Sequence, residues 1–100
     1  MAIRSKSVKG NELVIAVDGS FDFSCLQEFR ESYEKKQAIA KSYVVDLDKA
    51  EYIDSSALGM LLALRDYAGG EHADIKIING SQDIRNIFLK SKLCEMFYIE

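Results

Sequence analysis

The chain has 100 residues, a formal charge of −3 and a sequence pI near 5.2; 48% of its residues are hydrophobic and 29% charged, with no tryptophan or proline. That length holds one hydrophobic core without disulfide or metal support, and the composition excludes a disordered or low-complexity chain. Lysines scattered from Lys6 to Lys92 form no basic stripe for a nucleic-acid backbone, and the longest apolar run, residues 57–64, falls far short of the roughly 20 residues that span a bilayer.

Residues 3–8 read as a weak strand, followed by the turn signal Lys9-Gly10-Asn11. Glu12 to Asp18 is a better strand, in which Leu13, Ile15 and Val17 alternate with Val14 and Ala16, and Gly19-Ser20 is expected to end it. The period then changes. Leu26, Phe29 and Tyr33 recur at helical spacing, while Glu28, Glu31, Glu34, Lys35 and Lys36 fall largely opposite, which predicts an amphipathic helix with Ser24 as its N-cap.

Tyr43-Val44-Val45-Asp46-Leu47 is short, β-branched and nearly continuously apolar, as expected of a central strand covered on both faces. Residues 48–52 read as a polar connection. Asp54-Ser55-Ser56 then precedes good helix formers from Ala57 to about Ala68, and Gly69-Gly70 marks that helix's end. Ile75, Ile77 and Ile78 predict a further strand, Asn79-Gly80-Ser81 opens a third helix carrying Ile84, Ile87 and Phe88, and the tail from Leu93 to Ile99 is apolar enough to dock. After the opening hairpin, helices alternate with strands. The chain is therefore read as a single α/β domain, residues 1–100, with a mostly parallel central sheet of about four to five strands and flanking helices.

Candidate chemistry is sparse. Cys25 and Cys94 lie far apart among apolar residues and read as reduced core thiols, while His72, after Gly69-Gly70-Glu71, reads as a solvated loop residue. Asp46, Asp48, Glu51 and Asp54 are expected around one loop after the central strand, read as a solvated acidic set with a Mg²⁺ site as the weaker alternative, since their spacing matches no calcium loop and no phosphate-cradling glycine motif accompanies them; no cofactor is expected. Ser55 and Ser56 can cap the following helix, but a nucleophilic role lacks both a nearby base and a Gly-x-Ser-x-Gly elbow. A third role is phosphorylation: a phosphate at a helix start meets free amides and the positive end of the dipole.

Val44-Val45-Asp46-Leu47 followed by Tyr52-Ile53-Asp54-Ser55-Ser56-Ala57-Leu58-Gly59 resembles the signature of bacterial STAS domains, and most of all that of the anti-sigma factor antagonists. Val17-Asp18-Gly19-Ser20-Phe21-Asp22 and Asn79-Gly80-Ser81 with Ile84, Phe88, Ser91, Leu93 and Phe97 extend the likeness over nearly the whole chain. The resemblance implies a STAS-like fold and a regulatory role; a cytoplasmic location is expected because Met1 to Gly10 alternates polar and apolar residues where a signal peptide has an apolar block, and no enzymatic activity is expected because no positioned base, metal cage or cofactor loop is present. Ser55 would be the phosphoacceptor, with Ser56 as second choice, and Asp22, Asp54, Ser55, Ser56, Ala57, Leu58 and Gly59 would form the partner surface. It further implies that the unmodified protein binds an anti-sigma factor or switch-type serine kinase, that phosphorylation ends binding, and that a PP2C-type phosphatase restores it, with neither direct nucleic-acid binding nor membrane insertion. The alternative is a STAS subunit of a transport or signalling assembly with no phosphorylation; such modules often lack the serine after Asp. Ala57 stands where the family commonly has glycine, which places a methyl beside the expected contact surface. Phe21 and Phe23 flank Asp22 either as core or as a partner-binding anchor, and exposure distinguishes the two.

Overall fold

The computed structural model describes residues 3–8, 11–34 and 40–100. The expected turn at Lys9 and Gly10, and Lys35 and Lys36 on the first helix, lie outside the described residues, as does the Cys94 side chain. Five strands form one mixed sheet in the order β1-β2-β3-β4-β5: β1 (Ile3–Val8) pairs antiparallel with β2 (Glu12–Phe21), and β3 (Ser42–Ile53), β4 (Ile75–Ile78) and β5 (Tyr98–Ile99) follow in parallel. Helix α1 (Leu26–Glu34) joins β2 to β3, α2 (Ser55–Tyr67) joins β3 to β4, and α3 (Gln82–Lys90) joins β4 to β5.

Each crossover steps the same way across the sheet. With right-handed connections, all three helices therefore pack on one face. The core follows from strand alternation: Leu13, Ile15 and Val17 of β2, Tyr43, Val45 and Leu47 of β3, and Ile75 and Ile77 of β4 turn inward to meet Phe29 and Tyr33 of α1, Ala57, Leu61 and Leu64 of α2, and Ile84 and Phe88 of α3. β3 is central, as expected, but its two faces differ. Val44 is 8% exposed yet lies outside that core cluster, on the face opposite the helices, where Arg4, Lys6, Val14, Ala16 and Asp46 line a shallow trough.

The docked tail supplies two buried side chains, Leu93 and Phe97, and then the short strand β5, which its two-residue length hid from sequence reading. Ile87, placed by its spacing on the packed face of α3, is 37% exposed, so Ile84 and Phe88 carry that face. Cys25 is buried, its Sγ donating to the Asp22 carbonyl at 3.1 Å, and burial pushes the thiol's pKa up. His72 is exposed in a one-turn 3-10 segment after α2.

Candidate functional site

The candidate site stands on a two-stranded ribbon that outruns the rest of the sheet. Pairing with β1 reaches Val17 and pairing with β4 reaches Asp46, whereas the β2–β3 ladder continues to Phe21 and Ile53. The ladder shifts register between Ala16 and Asp18 and again between Gly19 and Ser20. Gly19, at φ 74°, adopts a left-handed conformation that a side chain resists, so the strand bulges here instead of ending. Two expectations are corrected by this ribbon: Gly19-Ser20 does not terminate β2, and residues 48–52 are strand, not a connection. The acids consequently do not ring a loop. Asp46 is fixed on β3, where its Oδ1 accepts from Asn79 Nδ2 at 3.1 Å and from the Asp48 amide at 3.0 Å, while Glu51 stands further along the same strand and Asp54 follows its end. Among the described residues, no group of three or more His, Cys, Asp or Glu side chains could hold a metal ion.

At the ribbon's end Asp54, with extended backbone at φ −124° and ψ −177°, is the N-cap of α2. Its Oδ1 accepts from the Ser56 hydroxyl at 2.6 Å, the Ser56 amide at 3.0 Å and the Ala57 amide at 3.2 Å. These bonds, led by the Ser56 hydroxyl, hold the Asp54 carboxyl below the usual carboxylate range, so it stays ionised near neutrality. The helix amides are thus satisfied by aspartate, and Ser56 donates to the cap instead of forming it. Ser55 is left exposed, and its hydroxyl has no hydrogen bond among the described residues.

A second corner of the same design lies beside it. Asp22, not Ser24, caps the 3-10 turn Phe23–Cys25 that leads into α1, its Oδ1 accepting from the Ser24 amide at 2.9 Å and from the Ser24 hydroxyl. The expected N-cap role of Ser24 is corrected accordingly: an acid two residues earlier takes the amide, and the serine braces that acid.

Of the residues expected to meet a partner, Ser55 and Gly59 are exposed, while Asp22, Asp54, Ser56 and Leu58 are half-buried. Ala57 is fully buried, which removes it from that surface; its methyl points into the core. Sequence reading missed Leu62 and Ala63, which continue the exposed side of α2 at the i, i+4, i+7 and i+8 spacing from Ser55. The apolar run to which they belong hid them among core positions. Phe21 is fully buried, whereas Phe23 is 62% exposed.

Comparison with known proteins gives a consistent result. A family model described as "Mlab, STAS domain" matches residues 5–97. A STAS-domain containing protein of Pseudomonas aeruginosa (strain UCBPP-PA14) is 50% identical over 93 residues, covering 93% of this chain and 92% of that protein. Among solved structures, the Bacillus cell fate determinant SpoIIAA in its phosphorylated form aligns at TM-score 0.76 with 19% identity, over 99% of this chain and 91% of that one. The STAS domain of a SulP transporter from Vibrio cholerae aligns at TM-score 0.68 with 15% identity, over 95% and 77% of the two chains.

Proposed function

Because the chain belongs to the STAS-domain family, we propose that it is a binding switch of the anti-sigma factor antagonist kind, engaging its partner when Ser55 is unmodified and releasing it when Ser55 is phosphorylated. The partner is an anti-sigma factor or a switch-type serine kinase, and a PP2C-type phosphatase resets the switch. One observation carries this reading: of two adjacent serines at the start of α2, Ser56 is locked onto Asp54 Oδ1 and Ser55 is presented outward. A kinase can reach the Ser55 hydroxyl without dismantling the cap.

The consequences of the added charge differ between the free and bound states. In the free domain the phosphate stays in water near a helix N-terminus, so folding free energy changes by about 1 kcal/mol or less. In the complex the phosphate must be desolvated against a surface fitted to a hydroxyl. Disrupting a buried polar contact of that kind costs on the order of 2–5 kcal/mol, or roughly a 30- to 5,000-fold loss of affinity. Binding is lost while the fold is kept.

The same fold serves as the STAS domain of a transporter, so a second reading is a constitutive subunit of a transport assembly. The outward serine after Asp54 favours the switch. The test pairs phosphopeptide mapping with thermal unfolding and partner titration, using a switch-type serine kinase from the same genome. Label on Ser55, unchanged melting and lost binding support the switch; label mainly on Ser56, an unfolded product or tighter binding would refute it.

A further inference from the structure

The Asp22-Phe23-Ser24 and Asp54-Ser55-Ser56 corners are built alike and stand on neighbouring strands. Asp22 has φ −141° and ψ −169°, close to the −124° and −177° of Asp54, and each accepts the amide and hydroxyl of the serine two residues on. Phe21 and Ile53, the residues before them, are register partners, and the Asp54 amide donates to the Phe21 carbonyl at 3.4 Å. The ladder ends at this pair, so the two corners start side by side at the end of adjacent strands, which run about 4.8 Å apart. Phe23 occupies in the first corner the place that Ser55 occupies in the second.

Phe23 is 62% exposed, whereas Phe21, Phe29 and Phe88 are at most 1% exposed. A phenylalanine ring has no polar atom to offer water, and its flanking residues Phe21 and Cys25 already fill the core beneath it. Three acids share this end of the ribbon: Asp22 directly precedes Phe23, Asp54 follows Ile53, which pairs with Phe21, and Glu51 is exposed two residues before Ile53. Beyond Ser55 the surface continues along α2 through Gly59, Leu62 and Ala63.

We propose that Phe23 is the anchor of this surface: it enters an apolar pocket on a protein partner, and Lys or Arg side chains on the rim of that pocket face Asp22, Asp54 and Glu51. The proposal rests on the reading of Ser55 as a contact residue and adds the side chain and the pocket chemistry through which contact is made. Charge complementarity selects the occupant, because an anionic bilayer would be repelled by the three carboxylates that a basic protein rim would match. Closing a pocket over the ring strips water from the neighbouring position 55. A hydroxyl tolerates that loss, and a hydrated dianion does not.

The test replaces Phe23 with the photo-crosslinker p-benzoylphenylalanine in the full chain, in cells of the source organism, with His72 replaced as a distant exposed control. The expected adduct forms at residue 23 and not at 72, on an apolar protein segment flanked by Lys or Arg. Against that partner, purified Phe23→Ala should bind about 30-fold more weakly or worse, as truncated interface hot spots do, and Phe23→Leu should recover part of the loss. Phe23→Ala should melt with the wild type, since its ring adds little to the core. Wild-type affinity of Phe23→Ala, no protein adduct at position 23, or Phe23-dependent sedimentation with anionic lipid vesicles would each overturn the proposal. If the partner needs Phe23 yet survives Ser55 phosphorylation, the switch reading fails and the anchor stands. If phosphorylation releases a partner that is indifferent to Phe23, the anchor fails and the switch stands.

Discussion

Ala57→Gly separates stability from recognition at the corner where the two meet. Ala57 lies in the first turn of α2 with 0% of its surface exposed, so the substitution removes a methyl from the core and an alanine from a helix. The propensity loss is at most about 1 kcal/mol and smaller in a first turn than mid-helix. Removing a buried methyl contributes about 0.8 kcal/mol. Together they amount to about 1.5 kcal/mol, which for a domain near this size lowers the melting temperature by roughly 6–12 °C. Urea unfolding should give a lower midpoint with an unchanged slope, because the surface exposed on unfolding barely changes. Under the proposed switch, partner affinity and phosphorylation of Ser55, measured well below the transition, should stay at wild-type values. A melting shift under about 2 °C would refute the packing account. Altered affinity in a folded variant would refute the assignment of Ala57 to the core side of the helix.

Asp54→Asn should lower the melting temperature at pH 7 and lose that effect in acid: a carboxyl whose folded pKa is depressed stabilises fully above its unfolded value, near 4, and less as pH falls through its folded value, so melting curves of both proteins should converge toward pH 2. In a Cys94→Ser background, Cys25 should resist an aromatic disulfide reagent at pH 8 until the domain unfolds, since the thiol is 1% exposed and its pKa is raised by burial; fast labelling of the folded protein would contradict this. Phe29→Ala should cost about 3–5 kcal/mol, measured by urea unfolding, because its ring is 1% exposed and packs against Phe21 and Tyr33 at centroid distances of 5.2 and 5.8 Å; a loss below about 1 kcal/mol would contradict the packing described.

Where the sequence was legible, a local signal and the tertiary demand agreed. Tyr43 to Leu47 is apolar enough to be central and is; Asp54-Ser55-Ser56 ahead of a run of helix formers marks a capped helix start and is one. Where it was not, the deciding interaction was remote. Residues 48–52 carry two acids and a lysine and show no alternation, yet they are strand because β2 continues alongside them through two bulges. Gly19 reads as a terminator locally, although its left-handed backbone lets the ladder shift and go on. Ser24 and Asp22 are both good caps by type, and only the hydrogen bonds reveal that the acid caps and the serine supports it. Phe23 was ambiguous for a similar reason: a strand-to-turn junction fixes the direction of a side chain through backbone geometry that its own identity does not encode.

Under the proposed switch, the cap on α2 also accounts for the choice of Ser55 over Ser56. Asp54 already takes the amides of Ser56 and Ala57, so a phosphate on Ser55 is not drawn into the helix terminus and need not reorganise it. Phosphate on Ser56 would have to give up the 2.6 Å bond to Asp54 and set a second anion beside a carboxylate that the fold keeps ionised. Like charge at that separation opposes the cap itself. The aspartate therefore divides the labour between neighbours: it commits Ser56 to holding the helix and leaves Ser55 free of structural duty. A group with no structural duty can change charge at little cost to folding, and the change is then felt by whatever binds over it.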